Sequence, residues 1–316
     1  MKCLNTITLL KGIEITGVLT APRVFNISYS QGEVTNVLHA DFHGVCGRLE
    51  IPVVELKGKM NSPDTIDAIR SWSPELILVS GWYHMVPKRI LEIATRGVVG
   101  LHASLLPLYR GGAPLVWAMI NGENETGISL FYLDEGVDTG DIIAQKTITI
   151  RFEDTIQAVY KKTEDAGVGI IEEMVPLIAE SRAPRSKQPE PPLGHKVSWP
   201  HRSPKDGLVD WDRPSFELYN FIRAQTRPYP GAFTMFNGEK LTAWRAGIVE
   251  YSGGKRPGEV VDVIDDGDRR GVVVTTCDRS FAILLCDVDF KGSTMNAVDF
   301  ATSQGVEKGT FFGNDT

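Results

Sequence analysis

Cross-linking and metal-binding residues are scarce in this chain. Its 316 residues include only four cysteines, Cys3, Cys46, Cys277 and Cys286. They form no Cys-x-x-Cys pair and lie beside no histidine cluster, so neither a disulfide framework nor a zinc site is indicated, and reduced structural thiols are expected. Long hydrophobic runs are missing too. No window approaches the stretch of about eighteen apolar residues that a membrane span needs. The opening MKCLNTITLLKGIEI has neither a signal-peptide cleavage pattern nor an arginine-rich transit sequence. A cytoplasmic chain with no membrane partner is expected. An excess of basic charge is the third absence: 33 Lys and Arg stand against 40 Asp and Glu, a formal net charge of −7. That balance argues against a broad hold on nucleic-acid phosphates and favours a small-molecule substrate.

With 42% hydrophobic residues over this length, the chain can bury enough surface for two domains. From Lys11 to Ile150 strand-like apolar runs alternate with amphipathic stretches. This is the pattern of an α/β domain, a Rossmann-like and mostly parallel sheet with covering helices. GIEITGVLT at 12–20, ELILVSG at 75–81, GVVGLHASL at 97–105, TGISLFYL at 126–133 and DIIAQKTITI at 141–150 read as strands. Ser62 followed by Pro63 announces a helix to Trp72, and a longer helix runs from Thr155 to Ser181. Residues 1–181 are therefore assigned to one catalytic domain.

The stretch 182–206 carries six prolines and little periodicity, and reads as a linker. Beyond it, a helix over 214–225 precedes short strands punctuated by Asn-Gly, Gly-Gly and Asp-Gly turns. A small, OB-like β-barrel over 207–290 is expected. Residues 291–316 are Gly- and Asn-rich and read as a loosely held polar tail.

One constellation carries chemistry. A lone histidine in a buried strand is usually a hydrogen-bonded core residue. His102, however, ends a strand and is followed by Ser104, Pro107, Tyr109, Arg110, Gly111 and Gly112. Ligands of open α/β sheets bind at such carboxyl ends of strands. A second loop, LDEGVDTGDIIAQ at 133–145, is acidic and carries glycines at 136 and 140. It lacks EF-hand spacing and any histidine, so no metal is expected.

Taken together, HASLLPLYRGGAPLVWAMINGENETGISLFYLDEGVDTGDII resembles the signature of the folate-dependent formyltransferases. That family includes methionyl-tRNA, glycinamide ribonucleotide and nucleotide-sugar formyltransferases. The resemblance implies that His102 and Asp138, thirty-six positions apart (138 − 102), stand at the family's catalytic His and Asp. It implies N10-formyltetrahydrofolate as co-substrate, with His84, Met85 and Val86 holding one edge of its pterin through their backbone. Asp134, Gly136 and Val137 belong to the loop closing over the other edge. Ser104, Tyr109 and Arg110 are assigned to the acceptor side. Arg110 could pair with a diphosphate or serve as a structural bridge.

Two features depart from the family pattern. The family's third catalytic residue is an Asn two positions before the His, and Gly100 stands there. Losing one oxyanion donor typically costs about a hundredfold to a thousandfold in rate. The family also opens with a buried strand before its first helix, whereas KCLNTITLLKG already reads as that helix. This leaves either a sheet short of a central strand or a start assigned too late.

The segment 206–244 resembles the second domain of the methionyl-tRNA and sugar enzymes. The acidic balance, and the 23–48 stretch without a basic insertion, lean toward a nucleotide-linked amino sugar as acceptor. Methionyl-tRNA is the alternative. A folate- or nucleotide-binding protein without turnover, motivated by Gly100, is the third reading. A homodimer is compatible with the sequence, which sets no oligomeric state.

Overall fold

A computed structural model describes residues 1–26, 33–36, 39–253 and 255–313. The chain forms two compact units. The first comprises 1–114, 125–149 and 160–200, and the second 115–124, 150–159 and 201–316.

In chain order the elements of the first half are α1 (Lys2–Ile7), β1 (Val18–Thr20), β2 (Val24–Asn26), β3 (Glu33–Thr35), α2 (His43–Arg48), β4 (Val53–Glu55), α3 (Pro63–Ser71) and β5 (Ile77–Ser80). They continue with α4 (Lys88–Leu91), β6 (Val98–His102), β7 (Arg110–Gly111), α5 (Pro114–Ile120), β8 (Glu125–Tyr132), β9 (Ile142–Thr149) and α6 (Ile156–Ala179). The start of α3 shows local sequence acting as read: the Ser62 hydroxyl accepts from the Thr65 amide at 3.3 Å and Pro63 needs no donor partner. Its apolar side, Ile66 and Ile69, is buried with Leu56, Met60, Val86 and Ile90.

The main sheet has the order β5-β6-β8-β9. β5 and β6 run parallel, with Val79 opposite Gly100, and β8 and β9 are antiparallel to their neighbours. The Rossmann-like alternation is present, but parallel pairing here is confined to β5 with β6. The reason is covalent: the 133–141 connection between β8 and β9 is too short for the crossover that parallel neighbours require. Val99, Leu130, Ile143 and Ile148 of this sheet pack against Ala166 and Ile170 of α6.

β1 pairs in parallel with β4 as a separate two-stranded sheet. Among the described residues it shares no pairing with β5. A cavity of about 570 Å³, lined by Leu4, Ile7, Leu19, Leu78 and Val79, lies there. Of the stretch 23–48, residues 27–32 and 37–38 lie outside the described residues.

Residues expected to form a bare linker carry pairings within the first unit. Ser186 bridges Ile142, and β10 (Ser198–Trp199) pairs with β7. Backbone donors of the Gly-rich loop supply the reason: the amides of Arg110 and Gly112 bond to Val197 and Trp199 carbonyls at 2.9 and 3.0 Å. Unpaired, those loop amides would be costly wherever water is excluded.

The second unit contains α7 (Ser215–Arg223), β11 (Ala232–Phe236), β12 (Glu239–Glu250), β13 (Val260–Asp266), β14 (Arg269–Thr275), β15 (Phe281–Phe290), β16 (Ser293–Asn296) and α8 (Ala297–Gln304). Its antiparallel sheet has the order β11-β12-β15-β14-β13, with β16 on β15. The turn between β11 and β12 is Asn237-Gly238, both left-handed (φ 49° and 75°), the geometry that twists a two-residue hairpin correctly. No pairing among the described residues joins β13 to β11, so the expected barrel is an open antiparallel sheet in this respect.

The polar tail assigned to 291–316 is corrected by the structure, which orders it through Gly313. Asn296 caps α8 by accepting from the Val298 amide, and Phe300 and Phe312 are 1% and 0% exposed. Both rings pack on Phe236 at 5.4 and 5.7 Å. Polar composition concealed two aromatic anchors, each worth about 1.5–3 kcal/mol on burial.

Candidate active site

β6 is an inner strand of the main sheet, and its last residue is His102, only 9% exposed. Both ring nitrogens are engaged. Nε2 lies 2.8 Å from the Tyr109 carbonyl, and Nδ1 lies 3.5 Å from Asp138 Oδ2. A carbonyl can only accept, so Nε2 carries a proton. The second nitrogen faces a carboxylate, and two acceptors cannot bond without a proton between them. A proton on Nδ1 would face Oδ2.

Asp138 is left-handed at φ 54°, a conformation that side chains adopt at a cost. It aims Oδ2 at the Gly111 amide, which donates to it at 2.8 Å. That bond fixes the carboxylate beside the imidazole. Tyr109 is left-handed too, at φ 57°, which turns its carbonyl toward the imidazole. Its ring stacks on Trp199 at 5.4 Å between centroids.

The loop behind His102 is stapled from within. The Ser104 hydroxyl donates to the Leu108 carbonyl at 2.7 Å, and Ser104 is 0% exposed. Its assignment to the acceptor is corrected: a side chain with no surface and a filled donor shapes the loop instead. Ser129 donates to the Ser104 carbonyl, and Gln145 donates to both Ser129 and the Leu106 carbonyl. Arg110 is corrected in the same way. Its Nε and Nη2 donate to Gln188 Oε1 at 3.1 and 2.5 Å, so of its two readings the structural bridge is the one made.

Gly100 lies two positions before His102 on the same strand, with Val79 opposite it on one side and Phe131 on the other. Its backbone belongs to the sheet, so it offers no free donor and its catalytic assignment is corrected. A Cβ placed there would lie 2.5 Å from Leu133 Cδ1. An apolar side chain fills the space where the family carries an amide.

Of the loops assigned to the co-substrate, 84–86 follows β5 and 134–137 follows β8. Lys88 and Glu135 join the two segments by an ion pair at 2.7 Å. Met85 and Val137 are 57% and 47% exposed, unusual for apolar side chains, whereas Val86 is buried in the core. The Asp134 carboxylate is used internally: it accepts from the Gly136 amide and the Thr139 hydroxyl at 2.9 and 2.6 Å. His84 packs among Phe25 and Trp82, and burial holds its imidazole below the usual histidine range.

That depression carries a pH signature. A folded-state value below the ordinary value of about 6.5 means the unfolded chain binds the proton more readily, so stability falls as pH drops through that value. The thermal midpoint is expected to decline from pH 7 to pH 5, and His84→Gln to flatten this part of the curve. An unchanged slope in the variant would remove His84 as its source.

Among the described residues there is no group of three His, Cys, Asp or Glu that could hold a metal, and no helix is long and apolar enough to cross a membrane.

Residues 38–175 match the family model described as formyl transferase, and 202–305 match the formyl transferase C-terminal domain. The chain is 32% identical over 304 residues to the methionyl-tRNA formyltransferase of Geobacter sulfurreducens, covering 96% of this chain and 90% of that protein.

The chain belongs to the formyl transferase family.

This formyltransferase is also 35% identical over 267 residues to the methionyl-tRNA formyltransferase of Pelotomaculum thermopropionicum, covering 84% and 82% of the two chains. Among solved structures it resembles HypX from Aquifex aeolicus in complex with tetrahydrofolic acid, at TM-score 0.62 and 21% identity. That match covers 95% of this chain and about half, 51%, of the other. An N-formyltransferase from Helicobacter canadensis, in complex with folinic acid and dTDP-3-aminofucose, matches at TM-score 0.58 and 18% identity over 90% and 94%. At these identities the structures establish the fold. By family membership the chain is a folate-dependent formyltransferase, with N10-formyltetrahydrofolate as its co-substrate.

The structure thus brings His102, Asp138, Tyr109 and Gly111 together. Sequence reasoning missed Gln188, Gln145 and Ser129. Ser129 and Gln145 lie inside strands read only for their apolar alternation, and Gln188 lies in a proline-rich stretch without periodicity.

Proposed function

We propose that this enzyme moves the formyl group to the amino group of methionyl-tRNA, with His102 and Asp138 handling the proton. The observation that carries the chemistry is the His102–Asp138 contact at 3.5 Å, braced by Tyr109 and Gly111. The acceptor rests on relatives that are 32% and 35% identical over most of both chains and are named for methionyl-tRNA. That likeness outweighs the net charge of −7, which led the sequence reading to an amino sugar and away from nucleic acid. Net charge is a sum over the whole surface, whereas an acceptor stem needs only a local basic face.

When bound, N10-formyltetrahydrofolate supplies an electrophilic formyl carbonyl. The two loops suit such a group: Met85 and Val137 present apolar surface, and the Asp134 carboxylate is already satisfied within its loop. Backbone groups of His84, Met85 and Val86 on one side, and of Asp134, Gly136 and Val137 on the other, would hold the ring edges. Asp138 is the more exposed member of the proton-holding pair, with 22% of its side chain accessible against 10% for His102. It would receive the proton that the attacking amine sheds and return it to N10 as the bond from N10 to the formyl carbon breaks, while the proton carried by the His102–Asp138 pair offsets negative charge developing on the formyl oxygen. His102 Nε2 stays committed to Tyr109, so the mobile proton is the one on the Asp138 side.

A nucleotide-linked amino sugar is the second reading, favoured by the acidic balance. The test offers N10-formyltetrahydrofolate together with methionyl-tRNA or, separately, a panel of dTDP- and UDP-linked amino sugars, and reads formylated product by mass. Product on methionyl-tRNA is expected. Product on a sugar alone would overturn the acceptor and keep the chemistry, and folate binding without any product would favour the non-catalytic reading.

A further inference from the structure

We infer that Gln188 is a positioning residue that locks the catalytic pair, acting through the backbone of Asp138 and the guanidinium of Arg110. The inference rests on the formyl-transfer reading of His102 and Asp138 and goes beyond it, to a residue in the stretch after α6. An amide side chain has two donors and two acceptor lone pairs, and Gln188 uses all of them. Its Nε2 donates to the carbonyls of Asp138 and Gly140 at 2.7 and 2.9 Å. Its Oε1 accepts from Nε and Nη2 of Arg110.

These four bonds fall on the two segments that build the proton-holding pair. One pair of bonds pins the backbone of Asp138 itself, whose left-handed φ of 54° is what aims its carboxylate. The other pins the residue between Tyr109, which holds His102 Nε2, and Gly111, which holds Asp138 Oδ2. Gln188 therefore fixes the separation between the loop of the imidazole and the loop of the carboxylate without touching either reacting side chain. It is itself anchored through Ser186, whose amide and carbonyl pair with Ile142 at 3.0 and 2.7 Å. A carboxylate at 188 would keep the acceptor for Arg110 and lose both donors to the 138–140 loop. A thioether would lose both halves.

The experiment compares wild type, Gln188→Met and Gln188→Glu, each alone and combined with Asp138→Asn. Misplacing a catalytic group by about 1 Å can cost about a hundredfold. Both single variants are expected to lower kcat about tenfold to a hundredfold, leaving KM for folate and amine within about twofold and the thermal midpoint close to wild type. In the Asp138→Asn background the same changes are expected to have almost no further effect on kcat, because the group being positioned is gone. The ¹⁵N resonances of the His102 ring provide a readout that needs no turnover, and they are expected to move in both variants. An unchanged kcat, a loss that adds in full to that of Asp138→Asn, or unmoved His102 resonances would each overturn the inference. Wild-type protein without formyl transfer would instead overturn the proposed function, and the resonances would still decide the role of Gln188.

Discussion

Replacing His102 with alanine is expected to lower kcat about a thousandfold, within the range of roughly a hundredfold to ten-thousandfold that a positioned acid or base contributes. The size follows from how much converges on one ring. With Gly100 in place of an amide and Arg110 tied to Gln188, the His102 ring is both the partner of Asp138 in handling the proton and the group whose pairing with it would offset charge developing on the formyl oxygen. Removing it also frees the Tyr109 carbonyl and leaves Asp138 with the Gly111 amide alone. KM for the folate is expected to stay within about threefold, since a loss confined to the transition state lowers kcat and kcat/KM together. His102→Gln, which can still donate to Tyr109, separates support of the loop from proton handling. It should fold as wild type does and remain as slow as the alanine variant. Asp138→Asn combined with His102→Ala should be hardly slower than His102→Ala alone, because the two act as one unit. Full turnover in either His102 variant would remove the residue from the mechanism.

Gly140→Ala is expected to be nearly as damaging to turnover, for a steric reason. An added methyl would lie 1.8 Å from the carbonyl oxygen of Tyr132. That oxygen is backbone at the end of β8 and cannot swing aside like the tip of a side chain. The 133–141 loop must shift as a body, and it carries Asp138, the Gly140 carbonyl bonded by Gln188, and the folate-side residues Asp134 to Val137. Overpacking of this kind costs about 1–3 kcal/mol, and displacement of Asp138 by about 1 Å costs about a hundredfold in kcat. Thermal melts and steady-state kinetics should show both losses together. Gly44→Ala is the matched control, since a Cβ there meets nothing within 4 Å. A Gly140→Ala protein as stable and active as the Gly44→Ala control would mean the loop is not held as described.

Local chemistry was legible wherever it was written in adjacent residues. Ser62-Pro63 announced α3, Asn237-Gly238 announced the hairpin of β11 and β12, and the alternation of 126–133 announced β8. His102 and Asp138 were legible for a different reason, the long motif around them. What escaped reading depended on partners distant in sequence. Gln188 meets Arg110 and Asp138 across 78 and 50 positions, and nothing in a proline-rich stretch marks it. Ser104 and Arg110 looked like binding residues because they are polar and flank His102. Their donors turn out to be consumed by Leu108 and Gln188. The tail was misread because two phenylalanines, Phe300 and Phe312, carry its burial within a polar composition. Net charge leaned toward an amino sugar, whereas the relatives at 32% and 35% identity are named for methionyl-tRNA, and a sum over 316 residues does not report where the charges sit.

On the function proposed here, a His–Asp pair with glycine where an amide donor is usual in the family still transfers the formyl group. The direct test is a single-turnover measurement with excess wild-type enzyme, N10-formyltetrahydrofolate and methionyl-tRNA, run beside His102→Ala. Formylmethionyl-tRNA is expected to form with wild type, and its rate of formation to fall about a thousandfold with the variant. Folate that binds while neither protein formylates the acceptor, or equal rates in both, would contradict it.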